Sequence, residues 1–491
     1  MNVTLQQNNK NRQFILKSLG GTMNINNQKF KKTLLFSALL LELSLNSTQA
    51  ITINTDGTTC TLADAITAAN SDAATGGCVA GVGDDVLELT SNGTFILTNP
   101  LPVIRSNITI NGNNSTISKD PNSASVSRIL VVSGSSVAPN TSVLTLNNTT
   151  ISKGFEGNNL GGGIVVRNGA ALSLNHSMIS ENTGGALFFF GAADSTINNS
   201  IIDNNVGVDG ADSYSGGVNI INGNLTINNS TISNNSSLSN SGVGGGIYVT
   251  NYGGNITVLF QLTNVFINNS TISGNFSKTK GGGIGHFFDN TYGGFAAGIT
   301  VKNTTISGNS STTSGGGISL DRHVTTTLTN LTLTGNNALI TGGGIDMTMF
   351  IPSGSTLIIN QSLISGNTAS SGSEIYVSDG YFTVDNRNIF GTSNVSGIVG
   401  ITPGATDIIP TVALVDILNP TLTLNPGGTT MTHDLVAGSP AIDSVLNVNC
   451  ALLADQNGII RPVDGDLDGN FDCDSGAVEY TGDLIFKDSF E

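Results

Sequence analysis

The chain has 491 residues, with 18 Lys or Arg against 34 Asp or Glu, 62 Gly, 4 Cys and no Trp. A net charge of −16 at pH 7 argues against a nucleic-acid or anionic-lipid partner, because both need a basic face. Only 11% of residues are charged and Asn, Ser and Thr fill most polar positions, unlike a compact globular enzyme, so internal repeats are sought first.

Residues 1–22 match no targeting pattern and read as a leader extension or a mis-assigned start ahead of Met23. From Met23, the bases Lys29, Lys31 and Lys32 precede the apolar run Thr33 to Leu45, which ends at Thr48-Gln49-Ala50. This is the pattern of a signal peptide over residues 23–50. The chain is therefore expected to be exported, to the extracellular space or cell surface of a bacterium. Without residues 1–50 the balance is 12 basic against 33 acidic residues, or −21. No later stretch approaches the ~20 apolar residues of a membrane-spanning helix, so the mature chain is expected to lack a transmembrane segment and to be a monomer.

Residues 51–85 read as an N-terminal cap. After Cys60, residues Leu62, Ala65, Ile66 and Ala69 fall on one helical face, and Thr61 and Asp64 have the spacing of a capping box. A short helix here can plug the end of a solenoid. Irregular apolar strands follow around Val86, Phe95, Ile108, Ile129 and Val143, as for the first two or three coils.

From 151 to 378 a two-part phrase recurs. A Thr-Ile-Ser-x-Asn element centres on Ile151, Ile179, Ile202, Ile232, Ile272, Ile306, Leu333 and Ile364, and a Gly-Gly-Gly-Ile element keeps step with it. The period, (364 − 151)/7 or about 30 residues, belongs to solenoids, propellers or arrays. Strands of four to six residues exclude helical repeats, and the lack of Trp and of a fourth strand disfavours propeller blades. The expected fold is all-β: a right-handed parallel β-helix, a pectin-lyase-like solenoid, over residues 86–384.

In such a coil equivalent positions stack about 4.8 Å apart, so columns can be read from the repeat. Asn182, Asn205, Asn235, Asn275, Asn309, Asn336 and Asn367 form one, expected to be a hydrogen-bonded carboxamide ladder at a left-handed corner. Asn148, His176, Asn199, Asn229, Asn269, Asn303, Asn330 and Gln361 form a second polar column. The Gly triplets supply the other corner.

Residues 385–491 read as a C-terminal module. Cys78 and Cys450 lie 372 residues apart with the solenoid between them, so the local pairings Cys60–Cys78 and Cys450–Cys473 are expected. Each is placed as the staple of an end cap.

The stretch Cys60-Thr61-Leu62-Ala63-Asp64-Ala65-Ile66 resembles the Cys-Ser-Leu-Arg-Glu-Ala-Ile phrase of secreted β-helix proteins, with three of seven positions different. The Gly-Gly-x-Ile and Ser-x-x-Asn repeats are similar to those of chlamydial-type polymorphic outer-membrane proteins, surface adhesins that end in a membrane barrel not seen here. Gly438-Ser439-Pro440-Ala441-Ile442-Asp443, Arg461-Pro462 and Cys473-Asp474-x-Gly476-Ala477-x-Glu479 resemble the anchor-like module at the end of many bacterial secreted β-helix proteins. The resemblances imply secretion and surface display and carry no chemistry with them.

Two sites are candidates. Asp464, Asp466, Asp468 and Asp472 alternate around Gly465 and Gly469 as in a Ca²⁺ loop, with Ser475 where a twelfth-position Glu is usual; the competing reading is a solvated acidic turn. Asp321, Arg322 and His323, with Asp346 about one rung away, are the best catalytic candidates. Acids do not stack along any outward column, which argues against a lyase or hydrolase. His286 stands in an otherwise apolar column and reads as a satisfied core histidine or a local bulge rather than a metal ligand, and Tyr248, Tyr252 and Tyr376 are available to stack on sugars. The expected role is an adhesin-like scaffold engaging polysaccharide or another cell-surface component. The alternative is a carbohydrate-active enzyme.

Overall fold

The computed structural model describes residues 4–8, 13–18, 21–24 and 50–482, apart from 125–126, 135–141, 158–160, 209–214, 241, 252–261, 289–295, 349–353 and 427–428. The chain divides into two units at Ala50. In the first, Thr4–Asn8, Gln13–Ser18 and Gly21–Asn24 pair as an antiparallel sheet, where the sequence suggested no structure. Residues 25–49, which hold most of the expected signal peptide, lie outside the described residues.

The second unit is a parallel β-helix. One rung shows its construction: Asn224–Asn228 forms the first wall, Thr231–Ser233 the second, Ser236–Ser237 a short bridge, and Ile247–Asn251 the third. Each pairs in parallel with its counterpart one rung on. The third walls stack into a ten-stranded sheet running from Leu130–Ser133 to Ile398–Val399. The two-residue bridge makes four strand segments per rung, where the sequence pattern resolves two or three.

Apolar columns point inward from every wall and are buried, two from the first (Leu225, Ile227), one from the second (Ile232) and two from the third (Ile247, Val249). These columns form a single core. The core is closed at the N-terminal end by α1 (Leu62–Ser71), whose N-cap Thr61 accepts from the Asp64 amide at 3.1 Å. Leu62, Ala65 and Ile66 of α1 enter that core, and Cys60–Cys78 is bonded beside it.

The corners assign distinct tasks to the polar columns. The column Asn182 to Asn367 is buried, and each Nδ2 donates to the Oδ1 of the next rung at 2.9–3.0 Å. The ladder ends on the buried Glu374, whose carboxylate accepts from the Asn367 amide and side chain. The left-handed conformation expected of these Asn is not theirs. It belongs to the residue before them, Asn204, Asn234 or Gly274, and to the second polar column, where Asn148, His176, Asn229, Asn269 and Gln361 all have φ of 47–49°. A further ladder, outward and half-buried, runs through Asn111, Asn147, Asn175, Asn198, Asn228 and Asn268 and donates in the opposite direction.

In the Gly triplets only the first residue needs positive φ, as at Gly281 (67°). At the second the backbones close up: a Cβ on Gly282 would lie 2.4 Å from the Gly316 oxygen.

The C-terminal module corrects one expectation. Cys450 and Cys473 are bonded, yet they staple no end cap. Residues 389–399 still add strands to the solenoid walls, and beyond them the module lies back along the outer face of the second wall, on a strip of threonines. The Thr271 hydroxyl donates to the Met431 oxygen at 2.6 Å, Thr305 to Gln456 Oε1 at 2.7 Å, and Thr332 accepts from the Ala477 amide at 2.9 Å. His433 joins this interface through Ser307, 2.7 Å from Nε2, and the Asn419 oxygen, 2.8 Å from Nδ1. Inside the module Arg461 pairs with Glu479 at 2.8 Å, both side chains fully buried, and donates to the Asp474 and Gly476 carbonyls.

Candidate functional site

The outer face of the ten-stranded sheet carries the site. Strand alternation places Tyr248, Gly285, Ser319 and Asp346 in one outward column and Thr250 and Phe287 in the next, with Asp321 just past the strand Ile318–Ser319. Loops ahead of the Gly triplets fold over the first of these, through parallel bridges at Val243, Lys280, Ser314 and Thr341. At Gly285 the loop lies close on the strand, since a Cβ would meet the Gly244 nitrogen at 2.4 Å and Val243 Cγ1 at 2.5 Å. There a cleft of about 300 Å³ is lined by Lys280, His286, Phe287, Asp321, Arg322 and Thr348, among others.

Of the four catalytic candidates, the structure brings Asp321 and Arg322 to the cleft and leaves the other two off its lining. Asp321 Oδ2 accepts from the Phe288 amide at 3.2 Å and Oδ1 from the Arg322 amide at 2.8 Å. The Arg322 Nε lies 3.6 Å from Asp321 Oδ1, and its guanidinium sits 5.5 Å from the Phe288 ring centre. His323, in left-handed conformation at φ 56°, packs its ring on Phe288 at 4.4 Å. Asp346 is buried one rung from Ser319, with Oδ1 accepting from Thr341 at 2.6 Å and Thr348 at 2.9 Å and Oδ2 unpartnered. Burial pushes its carboxyl above the usual range. Its acid is thus close to the cleft through Thr348, yet held by hydroxyls rather than presented.

His286 corrects the sequence reading. It is a core histidine in the column of Val249 and Leu320, but it is not satisfied: it is 2% exposed and its Nδ1 has no partner. Burial lowers its pKa to about 4, so the ring is neutral. A buried polar atom left unpaired costs about 1–3 kcal/mol, so His286→Leu, apolar and closer to the imidazole in volume, is expected to raise stability by about 1 kcal/mol in urea unfolding. A loss instead would show that the imidazole is bonded in solution.

Sequence reasoning missed Phe287 and Lys280. Phe287 is 43% exposed. Lys280 is half-buried; its carbonyl accepts from the Gly244 amide at 2.9 Å, and its ammonium acts on the nearby Asp346 carboxyl. The signal available was position: Phe287 follows His286 at the outward step of the strand. Of the tyrosines, Tyr248 is buried, Tyr376 half-buried, and Tyr252 lies outside the described residues.

The acidic loop converges differently from its spacing. Asp464 and Asp466 come together with Asp443, their ligand atoms within 4.8 Å of one another. Asp468 and Asp472 are not in this group. Asp468 Oδ1 accepts from the Asn470 amide, and Asp472 Oδ1 is taken by the Asn447 amide at 2.7 Å. Burial and the charges of Asp466 and Asp464 push the Asp443 carboxyl up to about 6.

Compared with protein-family models, curated proteins and solved structures, the chain matches none.

Proposed function

We propose that this chain is an exported surface scaffold that binds a glycan on the outer face of its β-helix and does not cleave it. The observation that carries the reading is the cleft, where an exposed aromatic ring stands beside fixed polar groups, the usual make-up of a sugar site. The case against hydrolysis or lyase chemistry is the state of the acids. Asp321 is engaged by two backbone amides and Arg322, and Asp346 is buried behind two hydroxyls. Among the described residues no pair of carboxyls is presented across a shared opening, as glycoside hydrolysis requires.

Export is supported by the leader-like residues 23–50 and by four cysteines forming two disulfides, which persist in oxidising compartments. The Cys-Ser-Leu-Arg-Glu-Ala-like phrase and the anchor-like residues 438–479 support surface display. The test is incubation of the purified chain with a panel of acidic and neutral polysaccharides. Saturable retention without shortened or unsaturated products is expected. Products lost on Asp321→Asn would replace the binding reading with the enzymatic one.

For the acidic loop we propose Ca²⁺ as the partner of Asp443, Asp464 and Asp466. The buried, unpartnered Asp443 Oδ1 favours this reading over a solvated turn. Oxygen donors suit a hard cation, which would also offset the mutual repulsion of the three acids. Millimolar Ca²⁺ is expected to raise the melting temperature by several degrees through linkage, and Asp443→Asn to remove that gain; an unchanged melt rejects the assignment.

A further inference from the structure

We infer that residues 483–491 lie across an apolar face of the C-terminal module, the face formed by the disulfide-linked segment between Val445 and Cys473.

The first argument is the face itself. Leu446, Val448, Leu453, Ile460, Leu467 and Phe471 are all exposed, Val448 at 89% and Leu453 at 85%. The Cys450–Cys473 bond and the antiparallel bridges Val445–Cys473, Ala454–Ile460 and Val463–Asp472 hold the stretches that carry them side by side. Among the described residues, none between 446 and 471 enters a buried apolar cluster; the module's own core is made by Ile417, Leu418, Leu435, Ala441 and Val478. So many large apolar side chains on one short, cross-linked segment mark a surface that something covers.

The second argument is reach. The described chain ends at Gly482, where a Cβ would lie 3.9 Å from the Gly465 oxygen. Gly465 opens the loop that carries Leu467 and Phe471, so residue 483 starts at the rim of the face. At the span of extended chain, Leu484 to Phe486 come within roughly 15 Å of Gly465, and residues 483–491 reach roughly 30 Å.

The third argument is the chemistry of the segment, Asp483-Leu484-Ile485-Phe486-Lys487-Asp488-Ser489-Phe490-Glu491. Laid down as an extended strand, it puts Leu484, Phe486 and Phe490 on one side, which suits an apolar surface. Lys487 is the only base after Arg461, and the loop beneath holds Asp464, Asp466, Asp468 and Asp472. A second copy of the chain, docking by the same face, would instead bring its own four aspartates against these, and like charges oppose that contact.

The test is hydrogen exchange of the full chain, read by mass spectrometry. Amides of residues 484–490 are expected to exchange at least tenfold more slowly than in a synthetic 483–491 peptide. Val448→Ser and Phe471→Ser are expected to abolish that protection. Val415→Ser, also at an exposed position but outside this segment, should leave it intact, and the melting temperature should hold in all three. Truncation after Gly482 is expected to raise Nile red fluorescence several-fold, with the synthetic peptide reversing the rise. Tail amides that exchange like the free peptide overturn the inference, as do protection that survives both loop substitutions and a dye signal unmoved by truncation. A dimer of the unaltered chain in light scattering, with its tail exchanging freely, would give the face to a second copy instead.

Discussion

Replacing Asn275 by Ala is expected to cost about 3–5 kcal/mol, whereas Asn228→Ala should cost only about 1 kcal/mol. Both residues belong to carboxamide ladders, and the difference lies in burial. Asn275 is fully buried. Its Oδ1 accepts from the Asn235 amide and side chain, and its Nδ2 donates to Asn309 Oδ1 and the Ile232 carbonyl. Alanine removes these four bonds where water does not reach, stranding the Asn235 amide, although the Asn235 side chain keeps the Ile202 carbonyl and Asn309 Oδ1 keeps the residue-275 amide. Asn228 donates to Asn198 and accepts from Asn268 on a half-open face, where solvent replaces what is lost. Urea denaturation of the two variants is the measurement, and equal losses would refute the inner ladder as a principal stabiliser. Asn275→Gln is expected to fail too, because its extra methylene cannot fit between stacked rungs.

Docking of the C-terminal module is expected to weaken as pH rises from about 5 to 9, with His433 opposing that trend on the acid side. On the acid side the group is His433, 3% exposed. Burial lowers its pKa, against the pull of the Asn419 carbonyl and Asp434. The folded state therefore prefers the neutral ring, and its contribution, present above the ordinary value of about 6.5, is lost as pH falls toward the folded value. On the alkaline side the groups are Asp455, Asp474 and Glu479, gathered around the single cation Arg461. Burial comes first and mutual repulsion adds to it, pushing Asp474 up to about 7 and Glu479 to about 9. A raised folded pKa gives stability that is complete below the unfolded value and lost as pH rises through the folded one. Limited proteolysis across residues 419–480 from about pH 5 to 9 reads both effects. His433→Gln should make the decline steeper at its acid end and Glu479→Gln shallower at its alkaline end, and a flat profile for the unaltered chain would set the scheme aside. Arg461→Met is expected to be far more damaging, since it strands buried carboxylates without their cation.

Much of this molecule was legible before any coordinates. A period of about 30 residues, short apolar strands, Gly triplets and a fixed Asn position specify a parallel β-helix, because each feature satisfies a need local to one rung and repeated on the next. The same locality made the capped helix Leu62–Ser71 and both disulfides readable. What one rung cannot reveal is how Asn residues divide the work. In the doublets Asn198-Asn199, Asn228-Asn229 and Asn268-Asn269 the first residue joins the outer ladder and the second takes the left-handed turn. The sequence shows only that both are polar.

The cleft was half legible. Asp321, Arg322 and Asp346 drew notice as rare charges, but Lys280 and Phe287 looked like ordinary loop and strand residues. Their importance depends on a loop folding over Gly285, a contact between segments that no periodicity encodes. For the acidic loop, spacing named Asp464 and Asp466 correctly as neighbours but could not supply Asp443, which comes from a different turn of the module.

The sequence by itself determined the rung, its inward columns and its staples, since nearest-neighbour stacking writes the same demand into every repeat. Only the tertiary structure decided where the last hundred residues go. A disulfide-bonded segment after a solenoid can cover the open end or lie along a wall. The choice here is set by the threonine strip Thr231, Thr271, Thr305 and Thr332 meeting the carbonyls, amides and Gln456 of the module. Such hydroxyls look like ordinary solvated strand residues until the partner that buries them is in place.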